Sequence, residues 1–166
     1  MACDFQIFLN AGEDHHATET AVEALDGVEE VENILSIHRS HTNASYLNQH
    51  GGTQAVQVDP MLLQVLKQAK QIWRQTDGAF DITSTVLSKL WGFHQKEHQL
   101  PTQKEIEQTL NQVGSEHLII NDDDSVQFAI PQLQINLGSI GKGYALDRCH
   151  QHFAAHDLTN YLFHGG

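Results

Sequence analysis

Hydrophobic residues along this chain follow two periods. An apolar residue at every third or fourth position is typical of an amphipathic helix, and strict alternation is typical of a strand. The helical period predicts helices at about residues 18–35, 60–75, 103–113 and 141–156, with a short helical or irregular segment at 86–93. The alternating period predicts strands at 5–9, 117–121, 126–130 and 133–137, and another that begins at Tyr161. This mixture predicts an α+β fold, arranged as a single domain over residues 1–166.

Local residue types refine these elements. Asp59 followed by Pro60 is a typical helix start, and Thr102 with Glu105 three residues later is a capping box. Residues 36–52 lose the periodic pattern and are rich in Ser, His, Asn, Thr and Gly, which predicts a long loop of the kind that often carries function. In the first strand Phe8 lies opposite the main apolar face, which predicts that both faces are covered.

A glycine-rich turn with one lysine links the last alternating stretch to the last helix. Gly138, Gly141 and Gly143 fall within six residues, and Lys142 lies among them. Glycines allow close approach of the backbone to a ligand, and a helix that begins there presents N–H groups and a positive dipole end. This predicts an anion site, the alternative being a plain connection with a solvated lysine. A Walker A loop does not fit, because Asn136 and Gly143 stand where it needs a glycine and a hydroxyl.

Composition and charge limit the classes of partner and the cellular location that we expect for this protein. Nine Lys and Arg against 21 Asp and Glu give a net charge of −12, which argues against nucleic acid as a partner. Cys3 and Cys149 form no C-x-x-C pair and are expected to be reduced. The sequence has no apolar run of membrane-spanning length, and its first residues do not resemble a signal peptide. We therefore expect a cytoplasmic protein as written, or an exported or membrane-anchored one if a leader has been removed.

Three other polar groups each have two interpretations. Asp81 is either the N-cap of the following turn or a carboxylate that faces a ligand. The acidic turn at 122–124 suits a solvated hairpin better than calcium, because so short a loop supplies too few oxygens. His152 and His156 have metal-compatible helical spacing, but the sequence places no third ligand beside them, which favours solvated or capping histidines.

Three separated stretches resemble motifs of the ApbE family, the FAD:protein FMN transferases. Residues 77–83, with the Trp-Gly-Phe at 91–93, resemble the family's T-x-G-A-F-D-x-T segment and its W-G-F. Residues 137–147 resemble L-x-x-I-x-K-G-Y-A-x-D, and residues 38–48 follow Y-x-x-x-S-E-x-S-x-x-N more loosely. The two chain ends, Met1-Ala2-Cys3 and His164-Gly165-Gly166, stand for the family's M-G-T and N-x-G-G.

The resemblance implies an ApbE-like, T-fold-like domain that is incomplete at its C-terminus. It implies transfer of FMN from FAD, with magnesium, to a threonine or serine of a partner flavoprotein. The implied contacts to FAD are Met1, His38, Ala79, Phe80, Asp81 and Lys142, and Ser139 would offer its backbone carbonyl to magnesium. No catalytic residue is assigned, because the segments that complete the family's metal site are absent from these 166 residues. The alternatives are a non-catalytic FAD-binding protein and an FAD pyrophosphatase.

Four positions depart from the family pattern. His38 stands where the family usually has a tyrosine that stacks on the flavin. An imidazole can also stack, but its ring covers a smaller area. Asn43 and Tyr46 stand where glutamate and arginine are usual, and Asn136 replaces an aspartate. We expect different ionic contacts in the first loop and one fewer carboxylate before the glycine turn.

Overall fold

A computed structural model describes residues 3–10, 12, 16–93 and 100–166 of the chain. Within these ranges the fold is α+β. The helices are α1 Ala17–Leu35, α2 Asn43–His50, α3 Pro60–Gln75, α4 Thr85–Leu90, α5 Gln103–Leu110 and α6 Gly141–Ala155, with a 3-10 turn at Ser115–His117. The strands are β1 Phe5–Leu9, β2 Val56–Gln57, β3 Leu118–Ile120, β4 Ser125–Phe128 and β5 Tyr161–Gly165.

Helices α1 and α6 pack against each other through small residues of α1. Ala21 and Ala24 are buried on this face, and the Cys149 thiol of α6 lies 3.3 Å from the Ala24 carbonyl oxygen. Burial raises the pKa of Cys149 to about 11, so this thiol stays protonated and unreactive near neutral pH. The apolar period placed Leu25 on the packed face, but that residue is exposed, because Ala24 takes the contact with α6.

Strands β1 and β5 form an antiparallel pair in which Phe5 faces Gly165 and Leu9 faces Tyr161. A Cβ at position 165 would lie 2.5 Å from the Phe5 ring, so a larger residue there would force this ring to move. The prediction that both faces of β1 are covered is wrong. Phe8, on the second face, is 52% exposed to solvent in the part of the chain that the structure describes. Strands β2, β4 and β3 form a second antiparallel sheet in that order.

The alternating stretch at 133–137 is extended but is not a strand, which corrects the prediction. Its burial follows the predicted alternation, with Leu133 and Ile135 fully buried. In place of a neighbouring strand, the Asn48 side chain accepts from the Ile135 N–H at 2.8 Å and donates to its carbonyl at 2.9 Å. The Asn136 N–H donates to the Ile82 carbonyl at 2.7 Å. These bonds satisfy the buried backbone without a sheet ladder.

Residues 36–52 are not a continuous loop, because α2 occupies 43–50. The Thr42 hydroxyl caps this helix by accepting from the Ser45 N–H at 3.1 Å. Eight residues with a mostly polar face give too weak a period to predict the helix from sequence.

The capping predictions are confirmed. Asp59 accepts from the Met61 N–H at 2.8 Å, and both bonds of the Thr102 and Glu105 capping box are present, although α5 ends at Leu110 and not near 113. The acidic turn at 122–124 joins β3 and β4 as a hairpin. Lys67 of α3 forms an ion pair with Asp124 of this turn at 2.8 Å.

Among the described helices, none is long and apolar enough to cross a bilayer.

Candidate functional site

A cavity of about 470 Å³ opens between the end of α1 with the loop that follows it and the start of α6. It contains His38 and Lys142, two residues that lie in different motifs of the sequence. The full lining consists of Glu32, Leu35, Ser36, Ile37, His38, Arg39, Asn136, Leu137, Gly138, Gly141 and Lys142. The cavity therefore joins the first loop to the glycine-rich turn.

The start of α6 presents both donors and an acceptor. Within the described ranges, the backbone N–H groups of Lys142 and Gly143 and the carbonyl of Ser139 have no hydrogen-bond partner. Lys142 is exposed, and a Cβ built on Gly143 would have no described heavy atom within 4 Å apart from its chain neighbours and its own helix backbone. Free N–H groups, the helix dipole and an ammonium group make this turn suited to an anion.

The loop that carries His38 is fixed by its own hydrogen bonds. Thr42 donates to the Ser36 carbonyl and caps α2, and the His38 N–H donates to the Ser36 hydroxyl at 3.2 Å. Arg39 turns back towards α1, where it contacts Glu32 at 3.3 Å and Asn33. The backbone at His38 is thereby held in place, and the His38 side chain is exposed.

The two ends of the chain meet beside Lys142. A Cβ placed on Gly166, whose φ is +84°, would lie 2.9 Å from the Cys3 Cβ and 3.5 Å from the Lys142 Nζ. The structure thus brings Cys3 and Gly166, one residue of each terminal motif, together beside the lysine of the glycine turn. Met1 itself lies outside the described residues.

Asp81 anchors two segments of the chain to each other. Its Oδ1 accepts from the Thr83 N–H at 2.8 Å, the Thr83 hydroxyl at 2.6 Å and the Ser115 hydroxyl at 2.7 Å. Its Oδ2 accepts from the Ser115 N–H at 3.0 Å. Thr83 in turn accepts from the Gly114 N–H at 2.8 Å. This geometry supports the capping interpretation of Asp81 and adds Ser115, a partner that the sequence did not predict.

Several predicted contacts lie apart from the cavity. Ala79, Phe80, Asp81 and Ser139 are all described residues, and none of them lines it. Ala79 is exposed and Phe80 packs on the core. The segment is still tied to the cavity wall, since Ile82 accepts the hydrogen bond from Asn136.

Sequence reasoning missed Glu32 and Arg39 as cavity residues. Glu32 lies near the end of α1 and Arg39 lies in the polar loop that follows it. No hydrophobic period there predicts which way a side chain faces. Asn43, which stands where the family usually has glutamate, accepts from the Asp59 N–H at 3.0 Å and so holds the start of α3.

Magnesium fits the turn in part. The free Ser139 carbonyl is the kind of hard oxygen ligand that Mg²⁺ prefers. Asn136 brings no charge, and its side-chain oxygen already accepts from the Gly138 N–H at 2.8 Å. The Ser139 carbonyl is therefore one candidate oxygen ligand at this turn, and the remainder would have to come from other protein oxygens, water or substrate.

The fold and the cavity together define an α+β protein with a ligand cavity at a helix N-terminus. The ApbE family matches residues 1–166, and the chain therefore belongs to the ApbE family. An FAD:protein FMN transferase of Vibrio cholerae serotype O1 is 30% identical over 151 residues, which are 90% of this chain and 44% of the relative. An FAD:protein FMN transferase of Escherichia coli strain K12 is 27% identical over 134 residues, covering 78% of this chain and 38% of the relative.

Solved structures agree with this assignment. The flavin transferase ApbE from Vibrio cholerae superposes with a TM-score of 0.86 at 27% identity, covering 98% of this chain and 53% of that chain. The ApbE protein from Thermotoga maritima gives a TM-score of 0.84 at 28% identity, again over 98% of this chain and 53% of the other. The chain thus spans about half the length of the proteins it matches.

Proposed function

We propose that this chain carries the FAD-binding part of an FAD:protein FMN transferase. In that reaction the hydroxyl oxygen of an acceptor threonine or serine attacks the phosphorus of the FMN half of FAD. A phosphoester bond forms, the phosphoanhydride bond breaks, AMP leaves and the hydroxyl proton is released. The observation that carries the proposal is the joining of His38 and Lys142 in one cavity at the start of α6.

The cavity has the two features that a flavin dinucleotide needs. The free N–H group and the ammonium of Lys142, which lines the cavity, suit the diphosphate, and the free N–H group of the adjacent Gly143 lies next in the chain. Phosphoryl transfer depends mainly on positioning and charge neutralisation. His38, on the fixed loop opposite, offers a flat ring to the isoalloxazine. Apolar contacts come from Leu35, Ile37 and Leu137 on the cavity wall.

The 77–83 segment has a supporting role in this proposal. Ala79, Phe80 and Asp81 are proposed to contact the nucleotide from beside the cavity, with Asp81 also holding the segment to Ser115. Magnesium, held in part by the Ser139 carbonyl, would neutralise charge on the diphosphate when bound. The acceptor is proposed to be a partner flavoprotein.

Replacement of His38 tests the aromatic side of the cavity. We expect His38→Ala to weaken FAD binding about 2- to 10-fold, as loss of a ring stacking contact implies. His38→Tyr, which restores a larger ring, is expected to bind FAD at least as tightly as the wild type. Calorimetric titration with FAD measures both effects.

His41→Ala is the matched control, because His41 is exposed on the same loop and does not line the cavity. Equal losses for the two alanine variants, or none for His38→Ala, would place the flavin elsewhere.

FAD binding without transfer is the second candidate function. It is favoured by Asn136, which leaves the turn without the family's usual carboxylate. Incubation with FAD, Mg²⁺ and an acceptor flavoprotein separates the candidates. Transfer yields AMP and flavin bound covalently to the acceptor, pyrophosphatase activity yields AMP and free FMN, and simple binding returns intact FAD.

A further inference from the structure

Away from the cavity, a histidine of α6, the histidine that directly follows this helix and a glutamate of α1 lie close together. Glu23, His152 and His156 each offer one ligand atom, and these atoms all lie within 4.8 Å of one another. The two imidazole rings are one helical turn apart, with centroids separated by 4.3 Å. The sequence placed no third ligand beside the histidines, because only the packing of α1 on α6 brings Glu23 there.

One ring nitrogen of His152 is buried beside Glu23. Its Nε2 atom is excluded from solvent and makes no hydrogen bond to any described residue. It nevertheless lies 3.2 Å from the Glu23 carboxylate oxygen Oε2. A tetrahedral metal ion with bonds of about 2.0–2.1 Å holds neighbouring ligand atoms roughly 3.3 Å apart. The spacing of this nitrogen and oxygen therefore matches one edge of such a site.

A hydrogen bond to the backbone holds one ring nitrogen of His156. The Nδ1 atom lies 2.8 Å from the carbonyl oxygen of His152. Because a carbonyl only accepts, Nδ1 carries the proton and the lone pair is on Nε2. A backbone hydrogen bond of this type is the usual outer support of a metal-binding imidazole.

The position of the cluster also favours a cation. It lies at the C-terminal end of α6, where the helix dipole is negative, in a chain of net charge −12. Lys142 and His152 are ten residues apart on α6, which is about 15 Å along the helix axis. The cluster is thus separate from the cavity at the start of the same helix.

We propose that Glu23, His152 and His156 form a site for a divalent transition-metal ion of the zinc type, with water as a fourth ligand. Two imidazoles and one carboxylate are a ligand set that Zn²⁺ accepts. The bound ion would clamp α1 to the end of α6. This proposal does not depend on the flavin function.

Cobalt is the probe for this site, because four-coordinate Co²⁺ has intense visible absorption that six-coordinate Co²⁺ lacks. We expect the chelator-treated 166-residue chain to bind one Co²⁺ with these bands, and Zn²⁺ to displace it. Glu23→Gln and His156→Gln are each expected to weaken binding by about 10- to 100-fold or more, since even loss of an outer support costs that much. Thermal melts of the metal-free variants check that they remain folded.

His150→Gln is the matched control, because His150 is exposed on the same helix and contacts Tyr161 in place of the cluster. It is expected to bind Co²⁺ like the wild type. Saturable binding that Glu23→Gln leaves unchanged would overturn the three-ligand site in favour of a histidine pair. The absence of saturable binding to the wild type would show that Glu23 and His152 form an ion pair only.

Discussion

Replacement of Asp81 by alanine is expected to destabilise the fold by about 3 kcal/mol or more. The substitution removes the acceptor of four hydrogen bonds, from the backbone and side chains of Thr83 and Ser115. Both partners are buried, with Thr83 at 0% and Ser115 at 1% exposure, so their donors lose a partner without gaining water. Each unsatisfied buried group costs roughly 1–3 kcal/mol. Chemical denaturation, followed by far-ultraviolet circular dichroism, measures the change.

Asp122→Ala is the control for this prediction. Asp122 is an exposed carboxylate in the hairpin turn, and its loss is expected to change stability by no more than about 0.5 kcal/mol. If Asp81→Ala were as stable as the wild type and lost only FAD affinity, the carboxylate would be a ligand contact and not a structural anchor. That result would reverse our interpretation of the 77–83 segment.

Replacement of Lys142 by alanine is expected to weaken FAD binding by about 10- to 150-fold, the equivalent of roughly 1.5–3 kcal/mol for a hydrogen bond to a charged group. The lysine is exposed at the start of α6, so its removal leaves the core intact. The affinity for riboflavin, which has no phosphate, should not change. The salt dependence of FAD binding should also fall, because one ionic contact is lost.

Lys104→Ala is the matched control, since Lys104 is an exposed lysine near the start of α5 and outside the cavity. Calorimetric titrations of both variants with FAD and with riboflavin give the comparison. An unchanged FAD affinity in Lys142→Ala, or an equal loss for riboflavin, would contradict a diphosphate site at this turn.

Much of the fold could be predicted from periodicity. Helices α1 and α3 follow clear apolar periods, and Asp59 and Thr102 cap their helices as expected. The start of α6 at the glycine-rich turn was also predictable, because glycines and a lysine follow directly on the alternating stretch. That this turn binds an anion stays a prediction. These features depend on near neighbours along the chain.

The failures involve partners that lie far apart in the sequence. Residues 133–137 alternate like a strand, but Asn48 takes the place of the neighbouring strand. Ser115 meets Asp81, and Glu23 meets His152, only because separate elements pack together. A single sequence gives no local pattern that pairs such residues.

The central claim is that the cavity between the His38 loop and the start of α6 binds FAD. Its most direct test is a calorimetric and flavin-fluorescence titration of the 166-residue chain with FAD, with and without Mg²⁺. We predict saturable 1:1 binding in the micromolar range, with quenched flavin fluorescence and competition by ADP for the diphosphate site. If FAD failed to bind both with and without Mg²⁺, the claim would be contradicted.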